Sequence, residues 1–173
     1  MLLRTHTSKA ATSEVLYSDC KSYRYCLSQR WADTGKIVNF VMLNPSVADA
    51  IKNDPTVERC ERRARQMGYA AFSVTNIFAW RDTDPHAMRR AEHPVGPLND
   101  ATLVERAKAA DAVIVAWGAH GAHRQRGQEV EKLFRQEGIT MHHLGLSKHG
   151  HPRHPLYISY QIQPKLWAAL SPD

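Results

Sequence analysis

Asparagine and histidine hold the clearest chemical potential in this sequence, because they stand where apolar runs end. Asn44-Pro45-Ser46 follows the run 37–43, and a loop with His149, His151 and His154 follows the run 139–146. A side-chain amide fixed at a strand end can orient a water or read a polar ligand. An imidazole can hydrogen-bond a leaving group and stabilise the charge that develops there. Pro45 pushes residue 44 into extended or turn geometry, and Pro152 and Pro155 stiffen the histidine loop. The amide also has a plain structural use, an Asx-type turn closing its strand.

Thr75-Asn76, inside the run 70–78, poses the same question, since a polar pair in a buried strand needs partners. Gly118 ends a third run, 111–118, and lets a ligand or another backbone approach closely. The residues after it lack the spacing of a dinucleotide or nucleoside-triphosphate loop. Arg81, Arg89, Arg90, Arg124, Arg126, Lys148 and Arg153 lie in or near the loops after these runs. If those loops share a rim, the rim suits phosphate. Arg59, Arg62, Arg63 and Arg65 instead read as a solvated helix face.

Five of the ten histidines fall between His142 and His154. A metal-dependent hydrolase is one reading of that cluster, but HExxH is absent and no cysteine or carboxylate pattern accompanies it. No metal and no cofactor is expected.

These residues need elements to position them. Asp54-Pro55 and Asp84-Pro85 each read as a helix N-cap followed by proline at the first helical position. Val57, Cys60, Ala64 and Met67 then mark one helix face. Further helices are expected from Asn99 or Asp100 to Ala109 and from Gln128 to Gln136, with a short one from Gln163 to Leu170. The runs 37–43, 70–78, 111–118 and 139–146 read as strands, the third as a doubly covered one. The turn signal Asp33-Thr34-Gly35-Lys36 predicts a hairpin between the segment 23–27 and the run from Ile37. No element is expected in residues 1–15, which read as fraying. Alternating strands and helices predict an α/β fold with a largely parallel sheet and right-handed crossovers.

The totals agree with a single domain over residues 1–173: 43% hydrophobic and 23% charged residues are ordinary for a globular chain. No apolar run approaches the length of a membrane span, and the start is a poor signal peptide. A cytoplasmic protein without a membrane partner is the expectation. Cys20, Cys26 and Cys60 form no CxxC, which argues against a disulfide framework and a four-thiolate cluster. The net charge of +6 suits polyanionic partners and equally an excess of arginine that keeps the protein soluble.

The set Leu43-Asn44-Pro45-Ser46, Asp54-Pro55-Thr56, Thr75-Asn76-Ile77-Phe78-Ala79-Trp80-Arg81, Ala116-Trp117-Gly118 and Gly150-His151-Pro152-Arg153-His154-Pro155-Leu156-Tyr157 resembles a bacterial family of uncharacterised proteins, a domain of unknown function. The order of motifs is similar, more distantly, to the uracil-DNA glycosylase superfamily. That resemblance implies a three-layer sandwich about a central, mostly parallel four-stranded sheet, here with an added N-terminal hairpin strand. It implies a glycosylase-like enzyme that hydrolyses an N-glycosidic bond of a nucleobase in DNA or a nucleotide. Asn44 would position the water, Asn76 would read the base edge, and His151 or His154 would stabilise the departing base. Ser46, Arg81, Gly118 and Arg153 would line the site. No aromatic residue lies between Asn44 and Tyr69, so Phe78 or Trp80 would stack on the base. The alternative is a non-catalytic module binding nucleic acid or a nucleotide.

Overall fold

A computed structural model describes residues 1–169. Within residues 1–15, where the sequence predicts no element, β1 (Leu2–Thr7) pairs antiparallel with β2 (Thr12–Tyr17). Next come β3 (Arg24–Arg30), β4 (Ile37–Met42), α1 (Pro55–Gln66), β5 (Ala71–Asn76), α2 (Pro85–Arg90) and α3 (Asn99–Ala109). The chain continues with β6 (Ala112–Val115), a 3-10 segment Ala119–Gln125, α4 (Arg126–Gln136), β7 (His142–His143), a 3-10 turn Pro155–Tyr157 and β8 (Lys165–Leu166). Where a helix from Gln163 is expected, Lys165 and Leu166 instead pair with β7; Leu170 lies outside the described residues.

Among the described residues the eight strands form one mixed sheet in the order β1-β2-β3-β5-β4-β6-β7-β8. The pairs β1–β2, β2–β3, β3–β5 and β7–β8 are antiparallel; β4–β5, β4–β6 and β6–β7 are parallel. This overturns the expected glycosylase-like sandwich about a central four-stranded parallel sheet, because antiparallel pairing predominates and extends the sheet on both sides. The expected hairpin is also absent. Trp31 and Ala32 donate backbone N–H to Ala70 O, and Ala70 N–H donates to Lys36 O at 2.8 Å. The chain therefore wraps around Ala70, so β5 lies between β3 and β4. Gly35 (φ +123) is needed there, since a Cβ would come within 2.7 Å of Ala70 Cβ.

Alternation along the strands supplies two cores. Val38, Phe40, Met42, Phe72, Val74 and Ile114 meet Val57, Cys60 and Ala64 of α1 on one face. Val41, Val113 and Val115 meet Leu103, Ala107, Val130 and Phe134 of α3 and α4 on the other. Burying each such Phe or Leu contributes about 1.5–3 kcal/mol. Both Asp-Pro helix starts form as expected: Asp54 Oδ1 accepts from Val57 N at 2.9 Å, and Asp84 Oδ1 from His86 N at 2.9 Å.

Candidate functional site

The parallel register brings three strand ends together. Met42 pairs with Asn76 and Val41 with Val115. Extending both pairings carries Asn44 beside the β5 exit and level with Gly118, on the face covered by α1. Phe78 N donates to Leu43 O at 2.9 Å, and Gly118 N donates to Pro152 O at 2.7 Å. The last contact draws the histidine loop against the end of β6.

Asn44 is half-buried, and its amide has a set orientation. Nδ2 donates to Asp82 O at 2.8 Å and to Pro45 O at 3.3 Å, which leaves Oδ1 as the acceptor. Asp82 N in turn donates to Pro45 O at 2.9 Å. Asn76 is buried, and its Oδ1 has no hydrogen-bond partner. A buried amide oxygen without a partner marks a place where a ligand or water belongs.

His154 lies beside Gly118, where a Cβ would come 3.6 Å from His154 Cβ. Its Nδ1 accepts from Leu156 N at 3.4 Å, capping the 3-10 turn. A neutral ring with that bond keeps its hydrogen on Nε2 and can donate. Burial holds the imidazole below its usual pKa, and attraction to the Asp54 carboxylate opposes this only in part. His151 points elsewhere: it lines a separate groove of about 310 Å³ with Trp117, Gln128, His149 and Trp167. The loop thus sends its histidines to opposite sides, with His154 beside Gly118.

The other expected residues divide. Ser46, Trp80 and Arg81 line a neighbouring groove. Trp80 packs edge-on against Tyr23 at 5.6 Å between centroids. Phe78 is fully buried against His123, within the core under α3 and α4. Arg153 is exposed beside Gly145. Among the described residues no three His, Cys, Asp or Glu side chains gather as a ligand set.

Several buried residues that position the site escape a sequence reading. Asn99 Nδ2 donates to Asn76 O at 2.9 Å and to Ile77 O at 3.1 Å. Arg126, expected on a basic rim, is instead buried: its Nε donates to Ile77 O at 2.8 Å while its guanidinium pairs with Asp100 and Glu129. Arg63 is buried rather than solvated and donates to Ile158 O, Ser159 O and Ile162 O. With Arg59, which donates to Pro155 O at 3.1 Å, it ties α1 to the segment that follows His154. No local pattern announces these bonds, since each joins a side chain to a distant carbonyl.

Fold and site together define a mixed α/β protein with polar residues at the carboxyl ends of its parallel strands, the region where open α/β sheets bind ligands. The chain belongs to the family described as Protein of unknown function (DUF1643), whose model matches residues 24–156. No curated protein and no solved structure matches it, and the likeness to uracil-DNA glycosylases has no support from these comparisons. Among the described residues no helix is long and apolar enough to cross a membrane.

Proposed function

We propose that this protein hydrolyses the N-glycosidic bond of a nucleobase, in DNA or in a nucleotide. The observation that carries the reading is the unpartnered, buried Oδ1 of Asn76, in register with Met42 two residues before the backbone-oriented amide of Asn44. In this reading Asn44 Oδ1 accepts a hydrogen bond from water and aims it at the sugar. The water oxygen bonds to C1′ as the C1′–N bond breaks, and the bonding pair leaves with the base. The Nε2–H of His154 donates to the base as negative charge develops, and the water releases its proton to solvent. Asn76 accepts from the base edge.

Incubation with a panel of single- and double-stranded oligonucleotides bearing deaminated or modified bases, and with free nucleotides, tests the reading. Release of at least one base, lost in Asn44→Ala and His154→Ala, is expected. No base released from any substrate overturns it.

A second reading, a non-catalytic binding module, is favoured by the position of the aromatic residues. Phe78 is enclosed in the core, and Trp80 lines the neighbouring groove. It predicts binding that weakens steeply with salt and persists in Asn44→Ala.

A further inference from the structure

Arg24 is a buried charge with little compensation. It is 1% exposed, yet among the described residues no carboxylate lies within ion-pair distance of it. Nη1 donates to Ala48 O at 2.8 Å, and Nε has no partner. Burial disfavours its charge, attraction to Asp54 opposes this, and repulsion from nearby Arg81 adds to it. Leaving a guanidinium buried without a paired anion is costly.

Arg81 repeats the pattern nearer the surface. Its Nε is buried without a partner, and Nη1 donates to Lys21 O at 3.0 Å. The guanidinium stacks over Tyr17 with Cζ 4.9 Å from the ring centre, and Tyr17 is the register partner of Arg24. Two guanidiniums thus lie near one another, each with a buried Nε that has no partner.

Hollows lie on both sides of Arg81. One, of about 350 Å³, carries Arg4, His6, Lys21 and Tyr17 with Asp49, whose Oδ1 accepts from Ile51 N and Lys52 N at 2.8 Å. The other, of about 320 Å³, is lined by Lys21, Ser22, Ser46, Trp80, Asp82 and Thr83 beside Arg81. Its hydroxyls add donors to the two cations, and Asp82 Oδ1 already accepts from Asp84 N at 3.0 Å. This second groove adjoins the strand-end residues, because Asn44 donates to Asp82 O on its wall.

We propose that this groove holds a phosphate group, gripped by Arg81 and Lys21 and backed by the unpaired charge of Arg24. Guanidinium donors in a fixed fork suit phosphate oxygens. The proposal deepens the glycosidase reading, since it supplies the phosphate grip that a nucleotide or a nucleic-acid strand requires.

The test uses base-free probes, so that it is independent of base release: inorganic phosphate, deoxyribose 5-phosphate, and a single-stranded oligonucleotide carrying a tetrahydrofuran abasic site. Affinities are measured for the wild-type full chain and for Arg81→Gln and Lys21→Gln, with each variant's melting temperature recorded. Loss of one charge-assisted contact should weaken the responding probe about tenfold or more, and Arg81→Gln should flatten the salt dependence of oligonucleotide binding by about one unit of slope. Response to deoxyribose 5-phosphate assigns the site to a free nucleotide; response to the oligonucleotide alone assigns it to a strand. Lys21 is exposed, so its variant carries the test if Arg81→Gln fails to fold. Wild-type protein that binds none of the probes, or folded variants that bind them as tightly as wild type, overturns the proposal. Phosphate binding without base release overturns the glycosidase reading and leaves this one standing.

Discussion

A methyl group on Gly118 would lie 3.6 Å from Cβ of His154. The end of β6 and the histidine loop are therefore in direct contact, and Gly118 adopts φ +72, ψ −172, a region essentially restricted to glycine. Gly118→Ala should cost about 1–3 kcal/mol in stability and reduce base release by moving the loop that carries His154. Denaturant melts and activity measured on the same preparation check this; unchanged values for both would contradict it.

His154 gives the protein a pH dependence of known sign. Its folded pKa lies below its unfolded value, so the unfolded chain takes up a proton first as pH falls. The contribution is present above the unfolded value of about 6.5 and is lost as pH falls through the folded pKa. His120, His123 and His143 shift in the same direction, chiefly through burial. The His154→Gln variant should thus lose less stability than wild type between pH 7.5 and 5. Parallel melting curves across that range would contradict the assignment.

Asn44 should separate catalysis from folding. Its side chain is half-buried and bonds only to backbone carbonyls, so Asn44→Ala should melt near wild type. Losing the orientation of the water should slow base release about a hundredfold. Single-turnover rates at saturating protein measure it.

Asn99 should matter for stability although it stands on α3 rather than at a strand end. Its fully buried amide holds the carbonyls of Asn76 and Ile77. Asn99→Ala leaves both without that donor and should cost about 1–3 kcal/mol, read as a lower urea midpoint.

The cysteines should react in a fixed order. Hydrogen bonds from Ser18 and Ser22 lower the Cys20 thiol to about 7, whereas burial raises Cys26 to about 11 and Cys60 higher still. At pH 8 iodoacetamide should label Cys20 alone in the folded protein and all three after unfolding; mass spectrometry of the digests checks it.

Much of the local structure was legible in the sequence. Asp54-Pro55 and Asp84-Pro85 begin helices because a capping carboxylate and a preset φ act within one turn. The spacing of Val57, Cys60 and Ala64 marks the buried face of α1, though Arg63 joins them because its charge reaches carbonyls of a segment that no local pattern brings near. The strand-end amides at Asn44 and Asn76 were legible for the same reason: they are read against the apolar runs that contain them.

What the sequence by itself determined, then, is the helices that begin at Asp54-Pro55 and Asp84-Pro85, the strands in the runs 37–43, 70–78 and 111–118, and the polar residues at their ends; the run 139–146 forms only the two-residue β7 (His142–His143). Those features depend on residues a few positions apart. The tertiary structure decided that β3 pairs with β5 rather than β4, that the sheet is mixed and eight-stranded, and that His154 rather than His151 meets Gly118. It also decided that Arg81 stacks over Tyr17, the register partner of the buried Arg24. Each of these depends on long-range pairing, where backbone hydrogen bonding and burial choose among partners that are equally apolar in sequence.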